Sequence, residues 1–122
     1  MAKILVFDKD PQSVHQLKGI LAAEGHECVV SPDGYSVIPL AEQHYPRLVI
    51  LDYNEAAGVE ILQRLRKSNV GAMIPVIFAS ATSKYEMEFS VMDAPAVGYV
   101  EKPLDPAKVA DAIRDFIGPK RA

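Results

Sequence analysis

Five times along the chain a short, unbroken apolar run gives way to a stretch with helical spacing, and this alternation leaves few folds open. The runs are Ile4-Leu5-Val6-Phe7, Cys28-Val29-Val30, Leu48-Val49-Ile50-Leu51, Pro75 through Ala79, and Val97 to Val100. Continuous apolar runs of this length suit strands buried on both faces. Between them Val14, Leu17 and Leu21, then Val59, Leu62 and Leu65, and finally Val109, Ile113 and Phe116 recur at helical spacing. Each connection is long enough for a helix, so the strands should be parallel with right-handed crossovers. The pattern predicts a doubly wound α/β sandwich.

The helix boundaries have chemical signals. Asp10-Pro11 and Asp105-Pro106 each place a capping carboxylate before a proline suited to the first helical position. Gly25 can close the first helix and Gly71 follows the third. Ser83 and Glu86 have capping-box spacing for the fourth, which Pro95 should end. The second helix, expected over roughly 34–44, contains Pro39, which should kink or divide it.

With 122 residues the chain is the size of one domain, placed at 1–118 with 119–122 as a tail. A net charge of −3 lacks the basic footprint of most nucleic-acid binders. The single Cys28 permits no internal disulfide and fits a reducing, cytoplasmic setting. No apolar run has the length of a membrane span or a signal peptide. Glycines form neither a dinucleotide fingerprint nor a phosphate loop. His15, His26 and His44 do not cluster as metal ligands and read as surface histidines, and Cys28 reads as a small buried hydrophobe.

In an open parallel sheet, ligands bind outside the carboxyl ends of the strands. There the sequence places Asp8-Lys9-Asp10, Asp52, Ser80 and Glu101-Lys102-Pro103. Asp10 reads first as a helix cap, and Ser80 and Lys102 taken singly could be ordinary turn and surface residues. Asp52 directly follows four apolar residues, where a surface carboxylate is less expected. Carboxylates meeting a hydroxyl and an ammonium suit a hard cation and a phosphoryl group.

The layout resembles the receiver domain of two-component response regulators over nearly the whole chain. The resemblance rests on Ile4-Leu5-Val6-Phe7-Asp8, Leu48-Val49-Ile50-Leu51-Asp52, Pro75-Val76-Ile77-Phe78-Ala79-Ser80-Ala81 and Gly98-Tyr99-Val100-Glu101-Lys102-Pro103. It implies a flavodoxin-like (βα)5 sandwich with strand order 2-1-3-4-5. It implies that Asp52 accepts a phosphoryl group from a histidine kinase or phosphotransfer protein. Ser80 and Lys102 would bind phosphoryl oxygens, and Tyr99 would swing inward as Ser80 moves. Asp8, Asp52 and the backbone carbonyl of Asn54 would hold Mg2+, and the Lys102–Pro103 peptide would be cis. A monomer or weak dimer would report its state to a downstream protein through the face made by the fourth helix, fifth strand and fifth helix. Met87 and Val91, beside Tyr99, read either as an extension of the core or as a docking patch there, and Phe89 and Met92 read as facing the core.

Two departures bear on this reading. Receivers usually end the first strand in two acids, and here Lys9 takes the second place. At ~4 Å and an effective dielectric near ~20, one unit-charge pair is worth ~4 kcal/mol, so this swap should weaken Mg2+ binding. Lys9 could instead pair with Asp8 or Asp52, or Asp10 could turn in. After Asp52 the family commonly has an apolar residue and proline where this chain has Glu55 and Ala56, and Gly58 falls about two residues early. A pseudo-receiver that binds partners without phosphorylation is one alternative. The other is an enzyme: Asp8 and Asp10 also resemble the first motif of haloacid-dehalogenase-type phosphatases, although the chain is short for that family and Asp52 would have no role.

Overall fold

The computed structural model describes residues 2–53, 56–91 and 96–118. Strands and helices alternate: β1 (Lys3–Phe7), α1 (Pro11–Ala23), β2 (Glu27–Val30), α2 (Val37–His44), β3 (Leu48–Asp52), α3 (Ala56–Lys67), β4 (Val76–Ser80), α4 (Lys84–Ser90), β5 (Val97–Glu101) and α5 (Pro106–Ile117). All four strand pairings are parallel, and the order is β2-β1-β3-β4-β5. This is the flavodoxin-like sandwich that the apolar runs and the resemblance point to.

The strand pleat sends alternate side chains to two separate cores. Leu5, Phe7, Val49, Leu51, Val76 and Phe78 face α2, α3 and α4. Ile4, Val6, Leu48, Ile50, Ile77 and Ala79 face α1 and α5. The central strands are therefore apolar on both faces over Ile4–Phe7, Leu48–Leu51 and Val76–Ala79, while edge strand β2 is only partly buried. Cys28 lies on that edge and is half-buried rather than enclosed, and burial pushes its thiol pKa up.

The caps form as the sequence indicates. Asp10 accepts the N–H of Gln12 at 3.1 Å, and Asp105 accepts that of Ala107 at 3.0 Å. Gly25, at φ 80°, follows the end of α1. Ser83 Oγ accepts the N–H of Glu86 at 3.2 Å. Pro39 does not divide α2. The helix begins at Val37, which puts Pro39 in the first turn, where its absent N–H leaves no bond unmade. Helix α4 ends at Ser90, and the expected stop at Pro95 lies outside the described residues.

On α4 the structure decides between the two readings of Met87 and Val91 and corrects that of Phe89. Met87 and Val91 are 0% and 6% exposed and join the core against β4, whereas Phe89 is 67% exposed. Apolar residues alternate at 85, 87, 89 and 91, so periodicity leaves open which face of so short a helix turns inward. Packing selects Met87 and turns Tyr85 and Phe89 to solvent. Met92 lies outside the described residues. His26 also differs from the surface reading: it is partly buried and its Nδ1 accepts the N–H of Ala2 at 3.2 Å.

Candidate functional site at the carboxyl edge of the sheet

Parallel strands all present their carboxyl ends to the same edge, which brings together residues far apart in sequence. Asp8 follows β1, Asp52 ends β3, Ser80 ends β4 and Lys102 follows β5. The ammonium of Lys102 reaches between the acids, 2.8 Å from Asp8 Oδ2 and 4.0 Å from Asp52 Oδ1. The Asp8 side chain is almost fully enclosed. Its Oδ1 accepts the N–H of Asp10 at 2.9 Å, while its Oδ2 accepts no hydrogen bond of good geometry and is answered by the Lys102 charge.

Asp52 is less well compensated. Burial raises its pKa above the ordinary carboxylate value, and the neighbouring charge of Asp8 raises it further. The Lys102 ammonium, the backbone N–H of Lys9 and the Lys9 charge act in the opposite direction. Two carboxylates sharing one ammonium make a place where added positive charge is stabilising. Their oxygen donors suit Mg2+, which is commonly bound through one or two carboxylates with water completing the shell. Among the described residues no third His, Cys, Asp or Glu joins them as a metal cluster. The Asn54 carbonyl and Glu55 lie outside the described residues.

Lys9 does not form the side-chain pair considered from the sequence. Among the described residues its ammonium has no ion-pair partner, and its side chain lies in an adjoining groove with Phe7, Tyr35, Glu60, Ile61 and Arg64. Asp10 does not turn into the site. Its Oδ2 accepts the Ser13 hydroxyl at 3.0 Å and its Oδ1 caps α1, and these two bonds, in that order, lower its pKa.

The hydroxyl of Ser80 is 3.0 Å from the N–H of Thr82, whose bond it accepts, so its own proton remains available to another acceptor. The Ser80 carbonyl accepts the N–H of Lys102 at 2.7 Å, and the following Lys102–Pro103 peptide is cis. Tyr99 is half-buried, with its ring 6.3 Å from that of Phe78. Tyr53 meets Phe78 edge-on at 5.5 Å. Burial comes first among the causes that push the Tyr99 hydroxyl pKa up, followed by the charge of Glu88.

Three residues have contributions that the sequence did not assign to them. Phe78 is the floor against which both tyrosines pack. Glu101 reaches from β5 to the start of α4. Gly58 lets α3 begin close behind the site: its N–H donates to Tyr53 O at 2.9 Å, and a Cβ there would lie 2.9 Å from Asp52 O. The early position of Gly58 was the one signal of this packing.

The pattern of the response regulator receiver domain matches residues 4–114. The chain belongs to the receiver family. The polar-differentiation response regulator DivK of Brucella ovis is 21% identical over 117 residues, covering 94% of this chain and 95% of DivK. The chemotaxis protein CheY4 of Vibrio cholerae shares the fold at a TM-score of 0.85 and 20% identity, over 95% of this chain and 98% of that one. The receiver domain of the sensor histidine kinase PA1611 from Pseudomonas aeruginosa matches at a TM-score of 0.83 and 19% identity, over 96% and 98%. That structure holds a magnesium ion in its active-site cleft. Receivers are signalling domains of two-component systems, not catalysts, so the phosphatase alternative is set aside. The geometry agrees, because Asp10, the acid/base of that alternative, is committed to capping α1. Among the described residues no helix is long and apolar enough to cross a membrane.

Proposed function

We propose that the chain is a phosphoryl-accepting receiver of a two-component relay and that Asp52 is the acceptor. The observation that carries this reading is the meeting of Asp8, Asp52 and Lys102 at one strand edge, with the ammonium 2.8 and 4.0 Å from the two acids. An Asp52 oxygen attacks the phosphorus of a phosphohistidine on a kinase or phosphotransfer protein. The P–N bond breaks, the imidazole departs with its electron pair and takes up a proton, and an acyl phosphate remains. Lys102 shifts toward the new phosphoryl oxygens, and Ser80 donates its free proton to another. Asp8 and Asp52, with the Asn54 carbonyl, would hold Mg2+, which supplies charge neutralisation when bound. Lys9 puts a cation where receivers usually have a second acid, so Mg2+ affinity is reduced.

Output follows as a population shift at the α4–β5–α5 face of a cytoplasmic signalling domain. The exposed aromatics Tyr85 and Phe89, rather than Met87 and Val91, are the apolar docking groups on α4. Lys9 also supports a second reading, a pseudo-receiver that binds its partner without phosphorylation.

Incubation with acetyl phosphate and Mg2+, followed by intact mass spectrometry, separates the two. The first reading expects a single phosphate adduct that disappears in Asp52→Ala; no adduct, or one that survives the substitution, favours the second. Calorimetric titration of Mg2+ into wild type and Lys9→Asp tests the cation argument. Tighter binding by the variant is expected, and equal affinities would remove Lys9 as the cause.

A further inference from the structure

The loop between Ser80 and α4 is fastened to β5 at both ends. At one end Ser80 lies opposite Glu101 in the β4–β5 pairing, and its carbonyl accepts the Lys102 N–H at 2.7 Å. At the other, the N–H of Lys84, the first residue of α4, donates to Glu101 Oε1 at 2.7 Å. Only Ala81, Thr82 and Ser83 lie between, and Thr82 donates its N–H to the Ser80 hydroxyl. Glu101 is exposed and needs no partner for its own solvation. Yet its carboxylate meets one of the helix-start N–H groups that lack a partner within the helix, in a short, charge-assisted bond.

A three-residue bridge with both ends held has little freedom to follow Ser80. If the Ser80 hydroxyl moves toward a phosphoryl group on Asp52, Thr82 and the bridge must move with it, and the bond to Lys84 is the tether that resists. We propose that Glu101 is a positioning residue: by pinning the start of α4 to β5 it sets how readily Ser80 reaches Asp52. The inference rests on the phosphoryl-accepting reading and adds an internal restraint that this chain's own Glu101 supplies.

Amide hydrogen exchange and acetyl phosphate labelling of wild type, Glu101→Ala and Glu101→Gln test it together. In unphosphorylated Glu101→Ala, exchange at both Lys84 and Thr82 should quicken about tenfold, with the amides of β1 and β3 unchanged. The phosphate adduct should form severalfold faster, because a freer loop visits the accepting arrangement more often. Glu101→Gln keeps an acceptor oxygen and should stay near wild type in both measurements. Faster exchange at Lys84 alone would reduce Glu101 to a local helix cap and overturn the proposal. So would an adduct that forms no faster in Glu101→Ala than in wild type. If wild type forms no adduct, the phosphoryl-accepting reading has failed, and Thr82 exchange decides whether Glu101 restrains the loop.

Discussion

A methyl group added at position 58 would overlap the carbonyl oxygen of Tyr53 and sit 2.9 Å from that of Asp52. Those atoms are backbone and cannot step aside as a flexible side chain would. Gly58→Ala must therefore push α3 away from the backbone of Asp52 and Tyr53, at a cost of about 1–3 kcal/mol. Urea unfolding should show the loss, and on the proposed phosphoryl-accepting function acetyl phosphate labelling should slow because Asp52 moves with its carbonyl. His26 governs a different property. Burial first, and then the positive N-terminus, hold its pKa below the ordinary 6.5. Protonation would also remove the Nδ1 acceptor of the Ala2 N–H. The unfolded chain thus takes up this proton more readily than the folded one. The stability His26 contributes is complete above pH 6.5 and is lost as pH falls through 6.5 toward the lower folded value. The urea midpoint should drop over that window in wild type, and His26→Gln should flatten this part of the profile.

Helix α4 separates what a sequence can show from what only packing decides. Met87 is fully enclosed, so Met87→Glu strands a charge in the core and should cost about 3–5 kcal/mol. Phe89→Glu sits in solvent and should shift stability by less than about 0.5 kcal/mol while weakening partner binding. Thermal denaturation of the two variants checks this ordering: the core reading of Met87 holds, and the inward reading of Phe89 does not. The strands and the helices capped by Asp10 and Asp105 were legible because several independent signals agree there: unbroken apolar runs, capping carboxylates and prolines at the first helical position. The seven residues of α4 carry apolar groups on opposing faces, so no period selects one. The site shows the same division. Strand ends announce Asp8, Asp52, Ser80 and Lys102, because polar residues stand out directly after apolar runs. That Lys102 lies closer to Asp8 than to Asp52, and that the Lys9 side chain lies in a neighbouring groove, depends on side-chain reach across strands, which no spacing in the chain encodes.

At the scale of the molecule the two edges of the sheet do different work. The carboxyl edge gathers charges that partly oppose one another, and Asp52 is held there against its own solvation preference. The opposite edge is built for cohesion, and Arg66 is its principal tie. From α3 its guanidinium donates to the carbonyls of Gly71 at 3.0 Å, Ile74 at 2.6 Å and Ala96 at 3.4 Å, joining the approach to β4 with the approach to β5. A planar fork can serve several carbonyls at once, whereas an ammonium acts as a compact point charge. Arg66→Met would take this donor from the Ile74 carbonyl, while the Gly71 and Ala96 carbonyls keep the N–H groups of Ile74 and Val76, and should cost about 1–2 kcal/mol in urea unfolding. Arg66→Lys should recover only part of that loss. Neither change touches the carboxyl edge, so the acetyl phosphate labelling proposed for Asp52, measured well below the unfolding transition, should keep its wild-type rate in both variants. A slowed rate in a fully folded variant would show that the two edges are mechanically coupled through β4 and β5, and the division of labour between them would have to be abandoned.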